Sequence, residues 1–269
     1  MKALIVDLAK CNGCYNCQLA CKDEHCDNDW SPIAAPQPQT GQFWCKMHER
    51  ERGRVPFVKV DYRPEFCGHC DDCKLLEMAP DCVYRNDEGF IVIDTEKAKG
   101  RKELVDACAE HLVFWNEDLQ LAQKCTGCSH LLENGWSQPR CVDACPTGAL
   151  RFGDEEDFAE EIAQAQHLFG QGEGSHVYYL NVPKRAVAGI VADRAKGDVV
   201  IGAKVTISDA EGNEIAETET NELGSFKYAE LDEKPYKVRI EAEGYGSTVL
   251  DADCTEQDVV FDDIFADEL

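Results

Sequence analysis

Cys11-Asn12-Gly13-Cys14-Tyr15-Asn16-Cys17-Gln18-Leu19-Ala20-Cys21 decides how the first half of this chain is read. Its thiols follow a C-x2-C-x2-C-x3-C spacing, the ferredoxin-type arrangement for [4Fe–4S] clusters. Three thiolates on one tight turn grip three irons of a cube. The fourth cysteine of such a run ligates the other cluster of the pair. Outward from this stretch lie Cys67, Cys70 and Cys73, then a solitary Cys108, then Cys125, Cys128, Cys141 and Cys145, the last followed by Pro146.

Crossed ligation pairs the outer runs. Cys11, Cys14 and Cys17 take Cys145, and Cys125, Cys128 and Cys141 take Cys21. Cys67, Cys70 and Cys73 take Cys108. Counting back from Cys108 by ferredoxin offsets finds Ala98, Arg101 and Leu104, none of which ligates iron. Counting forward from Cys73 to its fourth-ligand position finds Glu77. One cluster has therefore lost its own three thiolates and the one lent by its neighbour, while Cys108 is kept. The expectation is three [4Fe–4S] clusters on twelve of the 16 cysteines. The basic stretch Lys97-Ala98-Lys99-Gly100-Arg101-Lys102 reads as filler of the lost site or, by preference, as a solvated turn. Cys82 is close enough to Cys73 to be the third or fourth ligand if the 70–82 loop folds differently. Cys26, Cys45, Cys82 and Cys254 are otherwise taken as small buried apolar side chains.

Disulfides and zinc are the competing uses of so many thiols. Triplets at three-residue intervals serve a metal cube better than bridges to distant segments. Zinc needs four ligands, and triplets exceed its usual paired motifs. His69, between Cys67 and Cys70, and His130, after Cys128, are read as hydrogen-bond donors toward cluster sulfur. No nucleophile–base pair or phosphate-binding glycine loop is visible, so no active site is expected in this chain.

The 269 residues allow two modest domains. A net charge of −25 opposes binding to nucleic acid or anionic membranes. No apolar run approaches the roughly 18 residues of a membrane helix. The start, Met1 to Asp7, reads as a strand rather than a secretory signal, with Cys11 too early for anything before it to be removed. The expectation is a cytoplasmic chain, or one exported together with a partner.

Residues 1–153 form the expected cluster domain, with a ligand-poor insertion at 27–66. The aromatics Trp30, Phe43 and Trp44 in that insertion are read as anchors for a partner or as part of the chain's own core. Residues 90–94 read as a short strand. Residues 154–185 read as a helix, over 154–170, and a linker at 171–175. Residues 186–269 show alternating runs at 187–191, 199–207, 214–218, 225–228, 236–242, 246–250 and 259–264, separated by turn signals, and read as a β-sandwich. The fold class is α+β: a duplicated bacterial-ferredoxin-like domain followed by an all-β sandwich of Ig-like or transthyretin-like type. The sandwich is read either as a docking module or as a solubilising appendage.

The run order, with the long gap from Cys128 to Cys141, resembles the iron–sulfur electron-transfer subunits of the dimethyl-sulfoxide-reductase superfamily of molybdopterin oxidoreductases. Loss of one cluster and an appended sandwich make the chain similar to the small subunits of the pyrogallol–phloroglucinol transhydroxylase and catechol dehydroxylase family. The matching stretches are Cys21-Lys22-Asp23-Glu24-His25, Glu49-Arg50-Glu51-Arg52-Gly53, Asp61-Tyr62-Arg63-Pro64, Glu96-Lys97-Ala98-Lys99-Gly100 and Gln123-Lys124-Cys125-Thr126. The middle run departs from that family's usual C-x2-C-x4-C, and Ala109 stands where Pro usually follows Cys108.

The resemblance implies a heterodimer with a large catalytic subunit that carries molybdenum on bis-molybdopterin guanine dinucleotide. That subunit would act on polyhydroxylated aromatics by transhydroxylation or reductive dehydroxylation. Dehydroxylation requires an external electron donor. The alternatives are an electron-transfer subunit of another molybdopterin oxidoreductase and a stand-alone polyferredoxin.

Overall fold

The computed structural model describes residues 1–172 and 174–269. The chain divides into two compact units, Met1–Glu49 with Tyr62–Val182, and Arg50–Asp61 with Pro183–Leu269.

The first unit is organised around β1 (Lys2–Asp7), whose Ala3, Ile5 and Val6 are fully buried. It is the central strand of its sheet, antiparallel to a late strand on one edge and parallel to another on the other, so both edges are hydrogen-bonded. Helix α1 (Asn16–His25) follows a left-handed Tyr15. Cys17, Cys21 and His25 recur every four residues and share its buried stripe. Strands β2 (Cys45–Arg52) and β3 (Lys59–Phe66) form a two-stranded ribbon, whose residues 50–61 belong to the second unit.

After α2 (Lys74–Met78) come two hairpins, β4 (Val83–Arg85) with β5 (Ile91–Ile93) and β6 (Phe114–Asn116) with β7 (Leu121–Gln123). A 3₁₀ turn, Lys102–Ala107, lies between them. Helices α3 (Ser129–Glu133) and α4 (Arg140–Asp143) lead to β8 (Leu150–Asp154), which pairs with β1.

The helix expected over 154–170 is much shorter. A 3₁₀ turn, Glu155–Phe158, passes into α5 (Ala159–Ile162) and stops. The chain then pairs back on β9 (Val177–Leu180), with a bridge from Gln166 to Tyr179 and His167 Nδ1–H donating to Val177 O at 3.0 Å. Those long-range bonds replace the helical ladder. The expected linker at 171–175 includes Glu173, which lies outside the described residues; Gln171 and Ser175 are buried.

The second unit packs two sheets face to face. One orders β13 (Ser225–Leu231), β10 (Arg185–Asp193) and β16 (Val259–Val260), with β17 (Ile264–Ala266) also on β10. The other orders β12 (Glu214–Glu219), β11 (Lys204–Ser208), β14 (Pro235–Glu241) and β15 (Thr248–Asp253). Strict alternation puts Tyr236, Val238 and Ile240 of β14 inward, against Val187, Val205 and Phe226. The 259–264 run divides into two short strands. Arg52 ties the ribbon residues to this unit: it donates to Asp61 at 3.1 Å, Asp258 at 2.9 Å and Lys184 O. No helix is long and apolar enough to cross a membrane, among the described residues.

Candidate cluster sites

The three short turns that carry the thiols are shaped by conformation as much as by sequence. Gly13, between Cys11 and Cys14, has φ of +70°, and a Cβ there would meet the Tyr62 ring at 2.3 Å. Gly127, between Cys125 and Cys128, has φ of +66° and would meet the Phe90 ring at 2.5 Å. Only glycine satisfies both demands. His69 and Cys128 themselves take left-handed conformations, at φ of 48° and 55°. Such φ values are uncommon outside glycine and mark tight turns.

Cys11, Cys14, Cys17 and Cys145 come together. Burial pushes the Cys11 thiol up, and Cys17, Cys14 and Cys145 push it further. Cys14 is the most exposed of the group. Cys21 joins Cys125, Cys128 and Cys141: burial pushes Cys21 well up, followed by the effects of Cys125 and Cys128. Cys141 is raised well above its usual range by burial and then by Cys128, Cys21 and Cys125. Cys67, Cys70, Cys73 and Cys108 line one cavity. Burial pushes Cys70 up to about 12, with Cys67, Glu110 and Cys73 adding to it, and pushes Cys108 up to about 11.

The middle gathering is that of Cys21, Cys125, Cys128 and Cys141. Cys141 feels Cys17 on one side, and Cys125 feels Cys67 on the other. Cys67 lines both its own cavity and that of the middle group.

These residues fit iron–sulfur cubes. Within each gathering thiols disfavour one another's ionisation, a repulsion that the positive charge of iron would offset. The thiols surround spaces rather than a point: among the described residues no three His, Cys, Asp or Glu side chains are gathered closely enough for a single ion.

His69 gives a further fit. Its Nδ1 accepts the Ile91 N–H at 3.0 Å, and burial holds the ring neutral. The proton is thereby fixed on Nε2, which is buried and has no partner among the described residues. His69 lines both cavities, so this orphan donor suits a sulfide acceptor. His130 behaves differently from its expected role: Nε2 donates to Glu24 at 3.0 Å, which leaves Nδ1 as the buried orphan.

The position of the fourth inner site is filled by apolar core. Ala98 and Leu104 are both 0% exposed, packed with Leu75, Ala79, Val83 and Val113. Cys82 belongs to this core, and Arg101 Nη1 reaches its Sγ at 3.7 Å while pairing with Asp81 at 3.1 Å and with Glu103. Glu77 is exposed. Cys82, not Glu77, thus meets the Ala98, Arg101 and Leu104 positions, because α2 and the turn behind it lengthen the segment beyond the ferredoxin offset. Lys97, Lys99 and Lys102 face solvent, as the solvated-turn reading expects.

Cys45, expected as a small buried side chain, and His25 of α1 both pack beside the thiols. Cys45 is buried against Cys17 and close to Cys21 and Cys141. His25 donates from Nδ1 to Cys21 O at 2.9 Å, and burial lowers its pKa to about 4. Trp44 packs at 4.7 Å on His25, and Trp30 stacks at 4.6 Å on His130. Both tryptophans therefore serve this unit's own core rather than an outward anchor. The signal for Cys45 and His25 was their place near α1 and its ligands, which spacing rules do not read.

A fold of ferredoxin type with thiols gathered in fours is that of an iron–sulfur electron-transfer subunit. Comparison with known proteins agrees. A 4Fe-4S dicluster domain matches residues 58–155, and a carboxypeptidase regulatory-like domain matches residues 186–261. The chain is 37% identical over 261 residues to the pyrogallol hydroxytransferase small subunit of Pelobacter acidigallici, spanning 92% of this chain and 93% of that one. It is 29% identical to a tetrathionate reductase subunit of Salmonella typhimurium, over 67% of this chain and 72% of that one. It is 25% identical to the arsenate respiratory reductase iron-sulfur subunit of a Shewanella species, over 66% and 94% respectively. The chain belongs to the pyrogallol hydroxytransferase small-subunit family, among the iron–sulfur subunits of molybdopterin oxidoreductases.

Proposed function

We propose that this chain holds three [4Fe–4S] clusters and serves a large molybdopterin subunit acting on polyhydroxylated aromatics. The ligand sets are Cys11, Cys14, Cys17 and Cys145; Cys67, Cys70, Cys73 and Cys108; and Cys21, Cys125, Cys128 and Cys141. When bound, such clusters supply one-electron storage at potentials set by burial, charge and hydrogen bonds to sulfur. The chain's own residues do the rest. Gly13 and Gly127 let the turns close, Trp44, Phe66 and Phe90 keep water from the middle cavity, and His69 holds its N–H toward it. The middle gathering stands between the other two, an order suited to passing electrons along a row.

The observation that carries this reading is the gathering of twelve thiols in fours within a chain like the pyrogallol hydroxytransferase small subunit along nearly its whole length. That relative's name supports transhydroxylation of pyrogallol-type substrates, in which electrons stay within the complex. Reductive dehydroxylation of catechols is the second form, with electrons entering through this chain from an external donor. We place the complex in the cytoplasm.

Anaerobic purification from native cells tests the reading. The expected result is a brown chain co-eluting with a molybdenum protein, the pair converting a pyrogallol- or catechol-type phenol and this chain alone converting none. A monomeric brown protein that reduces several unrelated acceptors would instead indicate a stand-alone polyferredoxin.

A further inference from the structure

Between two of the thiol gatherings lies a buried ammonium that the cluster-binding spacing does not require. Lys124 is 3% exposed. Its Nζ donates to Ile91 O at 2.7 Å and to Cys125 O at 2.7 Å. Among the described residues no carboxylate lies within ion-pair distance of it, although the chain has 52 acids. Two carbonyls use two of its three hydrogens, and neither carries a full negative charge. A cation left this way is costly to bury unless an anion faces it.

The anion belongs on the thiol side. Lys124 lines the cavity of Cys67, Cys70, Cys73 and Cys108, and its backbone continues directly into Cys125. Lys124 thus lines the cavity of one gathering while its ammonium donates to the carbonyl of Cys125 in the other. Arg85 has a similar posture on the Cys67 side. Its guanidinium donates to His69 O at 3.0 Å, Gly89 O at 2.7 Å and Cys70 O at 2.7 Å, all carbonyls. The Cys11 gathering has no such buried cation among the described residues.

We propose that Lys124 is the shared counter-charge of two clusters, raising the reduction potentials of the one on Cys67, Cys70, Cys73 and Cys108 and the one on Cys21, Cys125, Cys128 and Cys141. This rests on the three-cluster reading. Reduction adds one electron to a cluster from an external reductant such as dithionite. No bond forms or breaks and no proton moves, so the added negative charge remains beside the ammonium. Electrostatic attraction then favours the reduced form. The cluster on Cys11, Cys14, Cys17 and Cys145 lies outside its influence.

The test is a redox titration of the native complex followed by electron paramagnetic resonance, with dithionite as reductant and iron counted in each sample. In Lys124→Met the two affected clusters should show about a tenfold lower reduced-to-oxidised ratio at a fixed poise, which is about 59 mV downward for one electron. The Cys11 cluster should not move, and Lys124→Arg should restore the original potentials. Unchanged potentials in a fully loaded Lys124→Met protein would overturn the proposal. If Lys124→Met loses iron, Lys124→Gln carries the same test. Iron loss in both neutral variants but not in Lys124→Arg supports the charge, whereas loss in all three assigns Lys124 to packing and overturns it. Failure of the three-cluster reading itself shows separately, as a wild-type iron content other than about twelve.

Discussion

Two regions of the first unit, one around Cys67 and one around Cys82, differ in what surrounds their thiols. Around Cys67, Cys70, Cys73 and Cys108 the fold keeps a cavity whose lining includes His69 and Lys124. Around Cys82 the same kind of space is closed by Ala98 and Leu104, with Arg101 held over the sulfur by Asp81 and Glu103. The difference separates a thiol group with room and polar lining from a thiol packed in apolar core. The second region also has a thiol, Cys82, but neither that room nor those polar side chains stand around it. Apolar side chains contribute core burial there instead.

Exchanging cysteines between the two regions should give the largest effects. Cys108→Ser should strip about four irons per chain, whereas Cys82→Ala should leave the iron content unchanged. Iron loss on Cys82→Ala with none on Cys108→Ser would reverse the assignment of the two sites. Cys145→Ala extends the comparison to the crossed outer pair. The resonance of the cluster on Cys11, Cys14 and Cys17 should be lost while that of the cluster on Cys125, Cys128 and Cys141 persists. The opposite pattern would mean that each run ligates only its own cube.

A smaller effect is expected inside the plug. Leu104→Ala removes a fully buried side chain and should cost about 2–5 kcal/mol in anaerobic denaturant unfolding, with the iron content unchanged. Iron gained by that variant would mean the plug covers a working site. The smallest is Lys97→Ala, at an exposed lysine beside the plug whose partner is Asp94. Unfolding midpoint and iron content should both stay at the wild-type values, and a fall in either would show that the basic turn closes the site.

The gathering of thiols was legible because their spacing is local: Cys11, Cys14 and Cys17 lie close together whatever the rest of the chain does. The sandwich strands were legible because alternation is also local, as Tyr236, Val238 and Ile240 show. The burial of Cys82 was legible, but its place against Ala98 and Leu104 was not, because offset counting pointed to Glu77, which is exposed. The helix after Asp154 failed for a long-range reason, since β9 takes over the hydrogen bonds that the amphipathic pattern assigned to a helix. Lys124 was hidden by its type: a lysine in a chain reads as surface charge until tertiary structure buries it. Trp30 and Trp44 were equally ambiguous, since aromatic side chains serve cores and interfaces alike.

Iron and acid-labile sulfide, counted per chain in protein purified without oxygen, test the central claim most directly. The account predicts about twelve of each, three cubes and a plugged fourth site. About sixteen would mean that the Ala98, Arg101 and Leu104 region holds a cluster after all, and about eight would mean that the solitary Cys108 does not complete one.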